Sequence, residues 1–142
     1  MTELHLPTKK VLTLQAAKHI AAAAEEEARK NACAMTVCVV DDGGHVLYLA
    51  RMDSALIASV AVAQDKACCA VRFKRPTKML EDAVLGGRTV VMTLAGAAPV
   101  EGGLPILVDG QVIGGVAASG GTSAQDGQVA AAGVAAARDL LK

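Results

Sequence analysis

The chain has no tryptophan, one tyrosine (Tyr48) and one phenylalanine (Phe73) in 142 residues. Stacking of nucleobases on aromatic platforms is therefore all but excluded. An excess of one charge is missing too: Lys+Arg number 14, Asp+Glu number 14, and the formal net charge is zero. Proteins that grip phosphate backbones carry a basic excess, so no nucleic-acid partner is expected. No apolar stretch reaches the roughly 20 residues of a membrane span, so no membrane partner is expected either. The start, Met1 to Pro7, lacks a basic patch followed by an apolar run, which makes the cytoplasm the expected location.

Other signatures are absent as well. The four cysteines (Cys33, Cys38, Cys68, Cys69) form no CxxC pair and have no histidine at zinc-ligand spacing. They are expected to be reduced, small and mostly buried. A GxxxxGK[ST] loop is missing, as is a GxGxxG between a strand and a helix, so neither a P-loop nor a dinucleotide-binding unit is supported. No GxSxG nucleophile elbow is present.

What is present is apolar and small. Hydrophobic residues make up 53% and charged residues 20%, which excludes a disordered chain. Alanine fills about a fifth of the sequence. Small side chains permit close helix packing but give little bulk to an isolated core, which hints at a homo-oligomer. The length fits one domain spanning residues 1–142, with its core at about 12–141.

Thr13 can cap a helix running to about Asn31, with Leu14, Ala17, Ala21, Ala24 and Ala28 on one stripe. Two strand-like runs, Met35 to Val40 and His45 to Arg51, flank Asp41-Asp42-Gly43-Gly44 and predict a hairpin. A helix over Ala55 to Phe73 ends before Pro76, and a short one over Thr77 to Val84 stops at Gly86-Gly87. Thr89 to Leu94 has strand composition. Leu104 to Val108 and Gln111 to Ala118 around Asp109-Gly110 predict a second hairpin, and a last helix runs from about Ala124 to Leu141. Hairpins without βαβ alternation predict an α+β domain with an antiparallel sheet.

The candidate site residues are few. His19, in the first helix, is the one histidine placed to reach a cavity between helix and sheet. It reads as either a surface histidine or an axial ligand to a metal in a macrocycle. Arg51 and Asp53 close the first hairpin, where the guanidinium suits a carboxylate or a structural ion pair. Lys66, in an otherwise apolar helix, either snorkels outward or points into a polar pocket. Arg72, Lys74 and Arg75 could attract an anion or form a solvated helix end. In Glu101-Gly102-Gly103, two glycines let backbone N–H groups approach an anion beside a carboxylate, unless the segment is a plain turn. Asp126 suits the positive end of the last helix.

Several motifs then occur in a fixed order: Val39-Val40-Asp41-Asp42-Gly43-Gly44, Leu49-Ala50-Arg51-Met52-Asp53, Lys66-Ala67, Phe73 and Pro76-Thr77. They are followed by Glu101-Gly102-Gly103-Leu104-Pro105-Ile106, Gly110 to Gly114, Ser119-Gly120-Gly121 and Asp126. In this order they resemble the GlcG/HbpS-like family over about residues 12–141. The resemblance implies an antiparallel sheet of about five strands with helices packed on it, and homo-oligomers. Some members bind haem, and the C-terminal domain of PduO-type cobalamin adenosyltransferases, a family member, is linked to corrinoids.

Two readings follow. In the first, the protein binds haem, a corrinoid or a related tetrapyrrole. The site is then a cleft between the second helix, Arg51–Asp53 and Glu101–Gly103, with Arg51 or Lys66 on the ligand's carboxylates. Phe73 is counted among the ligand-binding residues and His19 approaches the metal. In the second, it is a small enzyme or accessory protein of organic-acid catabolism acting on a small carboxylate. Arg51 then anchors the acid, Gly102 and Gly103 bind an oxyanion, and Glu101 or Asp53 is the base. An oligomeric scaffold without a ligand is the bland alternative.

Overall fold

The computed structural model of the chain describes residues 1–141. Its helices are α1 (Leu14–Lys30), α2 (Ala58–Phe73), α3 (Thr77–Leu85) and α4 (Ser123–Leu140). Its strands are β1 (Thr36–Asp41), β2 (Val46–Arg51), β3 (Gly103–Val108) and β4 (Gln111–Ser119). All strand pairs are antiparallel, in the order β2-β1-β4-β3. This is the expected α+β architecture, with four strands in place of about five.

Local chemistry explains the elements. The Thr13 hydroxyl accepts the Ala16 N–H at 3.1 Å and starts α1. The buried stripe of α1 is Ala17, Ile20, Ala21, Ala24 and Ala28. Leu14, expected on that stripe, is 50% exposed, and Ile20 supplies the bulk instead. In the first hairpin, Asp41 Oδ1 accepts the N–H groups of Gly43 and His45, each at 2.9 Å. In the second, Asp109 and Gly110 both take positive φ (52° and 76°), as a two-residue turn matched to strand twist requires. At the start of α4, Thr122 and Gln125 cap each other reciprocally.

The segment Thr89–Thr93 is a 3-10 helix, not a strand. Its β-branched composition suits a strand, but no ladder partner reaches it. Val91 alone turns inward, while Val90 and Met92 are each 56% exposed. Strand propensity is realised only through neighbours, and here they are missing.

The sheet is covered on both faces. Helices α1 and α4 lie on one, over Val37, Val39, Ile106 and Val116. Helix α2 lies on the other, over Cys38, Val40 and Ala117. Phe73, Leu80, Val91 and Cys69 form a satellite cluster where α3 and the 3-10 helix join α2. The small residues set the spacing: a Cβ at Gly115 of β4 would lie 2.8 Å from the Ala67 carbonyl oxygen of α2. Among the described residues no helix is long and apolar enough to cross a membrane.

All four cysteines are free thiols. Burial pushes the Cys38 thiol up to about 12, with nearby Cys68 adding to the effect. Between the ordinary thiol range and that value only the folded state holds the proton. Unfolding then releases it, and stability falls as pH rises from about 9 towards about 12. The urea midpoint is expected to drop between pH of about 8 and about 10.5, and to drop less in Cys38→Ala.

Candidate functional site

Lys66 is buried, and it does not snorkel. Its ammonium donates to Asp126 Oδ2 at 2.8 Å and to the Ala118 carbonyl at 3.1 Å. The two side chains are only 2% and 6% exposed. Asp126 is thus more than a charge at a helix end. It crosses from α4, on one face of the sheet, to meet α2 on the other. Its second oxygen accepts the Gly121 N–H at 2.9 Å.

The Glu101–Gly103 segment is packed onto this pair. Gly102 has φ of 130°, and a Cβ there would lie 2.7 Å from Lys66 Nζ and 2.8 Å from the Ala118 oxygen. Only glycine fits that conformation and that gap. The Gly103 N–H is already donated to Thr77 Oγ1 at 2.9 Å. The glycines therefore let the backbone approach Lys66 and Thr77. Glu101 is partly exposed and lies beside Gly127 in the first turns of α4.

Arg51 and Asp53 are brought together elsewhere. Both are exposed and line a cavity of about 450 Å³ with Glu25, Arg29 and Tyr48. The charges there are mixed, and Arg29 already pairs with Glu25 at 3.6 Å. Arg51 ends β2 at one edge of the sheet, and Gly103 starts β3 at the other. Three inter-strand spacings separate those edges, roughly 14 Å. The expected cleft joining Arg51, Lys66 and Glu101 is therefore not formed.

His19 and Phe73 lie away from both groups. His19 is exposed on α1 and does not reach between helix and sheet, because the inward stripe is held by Ala17, Ile20 and Ala21. Phe73 is half-buried and packs in the satellite cluster with Cys69 and Leu80. Among the described residues no group of three His, Cys, Asp or Glu could hold a bare metal ion.

One site escaped the sequence. A cavity of about 560 Å³ opens between the α2–α3 corner, β3 and α4. Leu104, Ile106 and Val134 supply apolar wall, with Pro76 and Met79 beside them. Lys74, Arg75 and Arg138 stand around it, and no acidic residue lines it. Lys74 sits at φ of 52°, the left-handed turn that ends α2. The signal was half visible: the cationic run at 72–75 is in the sequence, but Arg138 and β3 arrive from far along the chain. A second cavity, of about 680 Å³, shares Lys74 and Leu107 with the first and lies under Pro7, Thr8 and Lys9.

Residues 12–135 match the family described as haem degrading protein HbpS-like. The chain belongs to the HbpS-like family. Protein GlcG of Escherichia coli (strain K12) is 45% identical over 114 residues, covering 80% of this chain and 85% of that protein. Protein ORFY of Klebsiella pneumoniae superposes with a TM-score of 0.88 at 33% identity, covering 97% of this chain and 99% of that one. A PduOC structure solved as a haem complex superposes with a TM-score of 0.81 at 30% identity, covering 89% and 95%.

In this HbpS-like chain Lys66→Met leaves a buried carboxylate unpaired, and a loss of about 3–5 kcal/mol is expected. Adding Asp126→Asn removes the orphaned charge and keeps the acceptor for Gly121. The double variant is expected to recover at least half of the loss. Urea unfolding of both variants checks this, and equal stability of single and double variants would contradict it.

Proposed function

We propose that this HbpS-like protein binds haem in the cavity between the α2–α3 corner, β3 and α4. The observation that carries the reading is the pairing of apolar wall with three cations and no acid. Haem is a flat apolar ring with two carboxylates on one edge. Leu104, Ile106 and Val134 would cover the ring, while Lys74, Arg75 and Arg138 would hold the carboxylates. The cavity volume lies within the roughly 300–1,000 Å³ usual for small-molecule sites. The haem complex of the similarly folded PduOC supports the same ligand class. Bound haem would supply a redox-active iron, and the protein's part is to hold it and exclude water.

A corrinoid, whose ring edges carry amides, gains less from three cations. Small-acid chemistry also has less support. One of its two expected oxyanion donors, the Gly103 N–H, is committed to Thr77, and Arg51 lies across the sheet from Glu101. The same reading takes the protein as a homo-oligomer. Leu56 (66% exposed) and Ile57 (84%) before α2 give a second copy an apolar surface to cover.

A haem titration followed by visible absorption tests the proposal. Saturable one-to-one binding with a Soret shift is expected. Lys74→Glu with Arg138→Glu is expected to weaken it at least ten-fold, since each charge-assisted contact is worth about 1.5–3 kcal/mol. His19→Ala is expected to leave it within about two-fold, under roughly 0.5 kcal/mol. Binding that needs His19 and ignores the two charge reversals would overturn the site.

A further inference from the structure

Helix α2 buries one side against the sheet and leaves the opposite side exposed. Ala58, Ala61, Val62 and Asp65 are exposed on it, and Arg72 follows Asp65 after two helical turns. The two charges stand roughly 10 Å apart along the helix. Neither has an ion-pair partner among the described residues. Apolar surface is exposed beyond each end of this side. Leu56 and Ile57 are exposed before the first turn. At the other end the segment 94–98 runs beside α2. The Ala98 N–H donates to Cys69 Sγ at 3.2 Å, and a Cβ at Gly96 would lie 2.5 Å from Arg72 Nη1. Met92 and Leu94, which lead into that segment, are exposed.

We infer that the outer side of α2 packs antiparallel on the same side of α2 in a second copy, with Asp65 of each on Arg72 of the other. The inference rests on the homo-oligomer reading and names its surface. A two-fold interface uses one patch twice, so the patch has to be complementary to itself. About an axis level with Cys68, the acid of one helix faces the base of the other, and both pairs form at once. The same rotation carries Leu56 and Ile57 past the end of the partner helix. They arrive on the side where Met92 and Leu94 of the partner subunit offer apolar surface. The small side chains of Ala58 and Ala61 let the helices approach closely. A parallel arrangement would set Asp65 against Asp65 and Arg72 against Arg72, so the charges also fix the direction.

Sedimentation velocity at micromolar concentration tests this on the wild-type protein, Asp65→Arg, Arg72→Asp and the double variant. Both side chains are exposed, so far-UV circular dichroism is expected to match the wild type in all three variants. Each single reversal places two like-charge contacts in the two-fold interface. The dissociation constant of that association step is expected to rise about ten-fold or more. The double variant forms both pairs again with the signs exchanged, and is expected to return to within about three-fold of the wild type. General damage to the helix would not be rescued in this way. A wild-type monomer would overturn both this interface and the homo-oligomer reading. An oligomer that the single reversals leave intact, or that the double variant fails to restore, would overturn the interface and leave that reading standing.

Discussion

The structure hangs on one buried ion pair. Lys66 comes from the helix on one face of the sheet and Asp126 from the helix on the other, and they meet at 2.8 Å beside the end of β4. A charge pair out of water is tolerable only when its remaining valences are filled. Here the Ala118 carbonyl and the Gly121 N–H fill them. Gly102 then closes the site with bare backbone, because no side chain fits between it and Lys66. Two layers and the entry to β3 are locked together by this contact.

The same elements wall the cavity proposed for haem. Helix α2 carries Lys66 and ends at Lys74, β3 begins at the glycines that seal the pair, and α4 runs from Asp126 to Arg138. The pair therefore fixes the relative placement of the three cations and the apolar wall without lining the cavity itself. β3 is an edge strand with Pro105 in its middle, and a proline has no N–H to offer a further strand. An edge that resists strand addition is suited to forming a cavity wall.

Elements whose cause is local were legible in the sequence. Asp41 to Gly44 and Asp109-Gly110 carry their turn chemistry in a few residues, and Thr13 announces α1. The 3-10 helix at Thr89–Thr93 was misread because composition says nothing about a missing partner strand. The motif residues of the resemblance were legible, but their roles were not. Lys66 and Gly103 look like ligand binders in sequence, and in space Asp126, the Ala118 carbonyl and Thr77 take up their hydrogen bonds. The partner that decides this, Asp126, lies 60 residues from Lys66. The cavity was illegible for the same reason, since the α2–α3 corner, β3 and the end of α4 meet only in the fold. His19 shows the converse. One helical register step separates an inward Ile20 from an outward histidine, and only the packed helix fixes which is which.

The proposed haem site can be checked at the metal itself. Crystals of the haem-loaded protein, with anomalous diffraction recorded at the iron edge, locate the metal directly. One iron peak is expected inside the cavity between the α2–α3 corner and α4. A peak on the outer face of α1 beside His19, or at the Arg51–Asp53 end of β2, would contradict it.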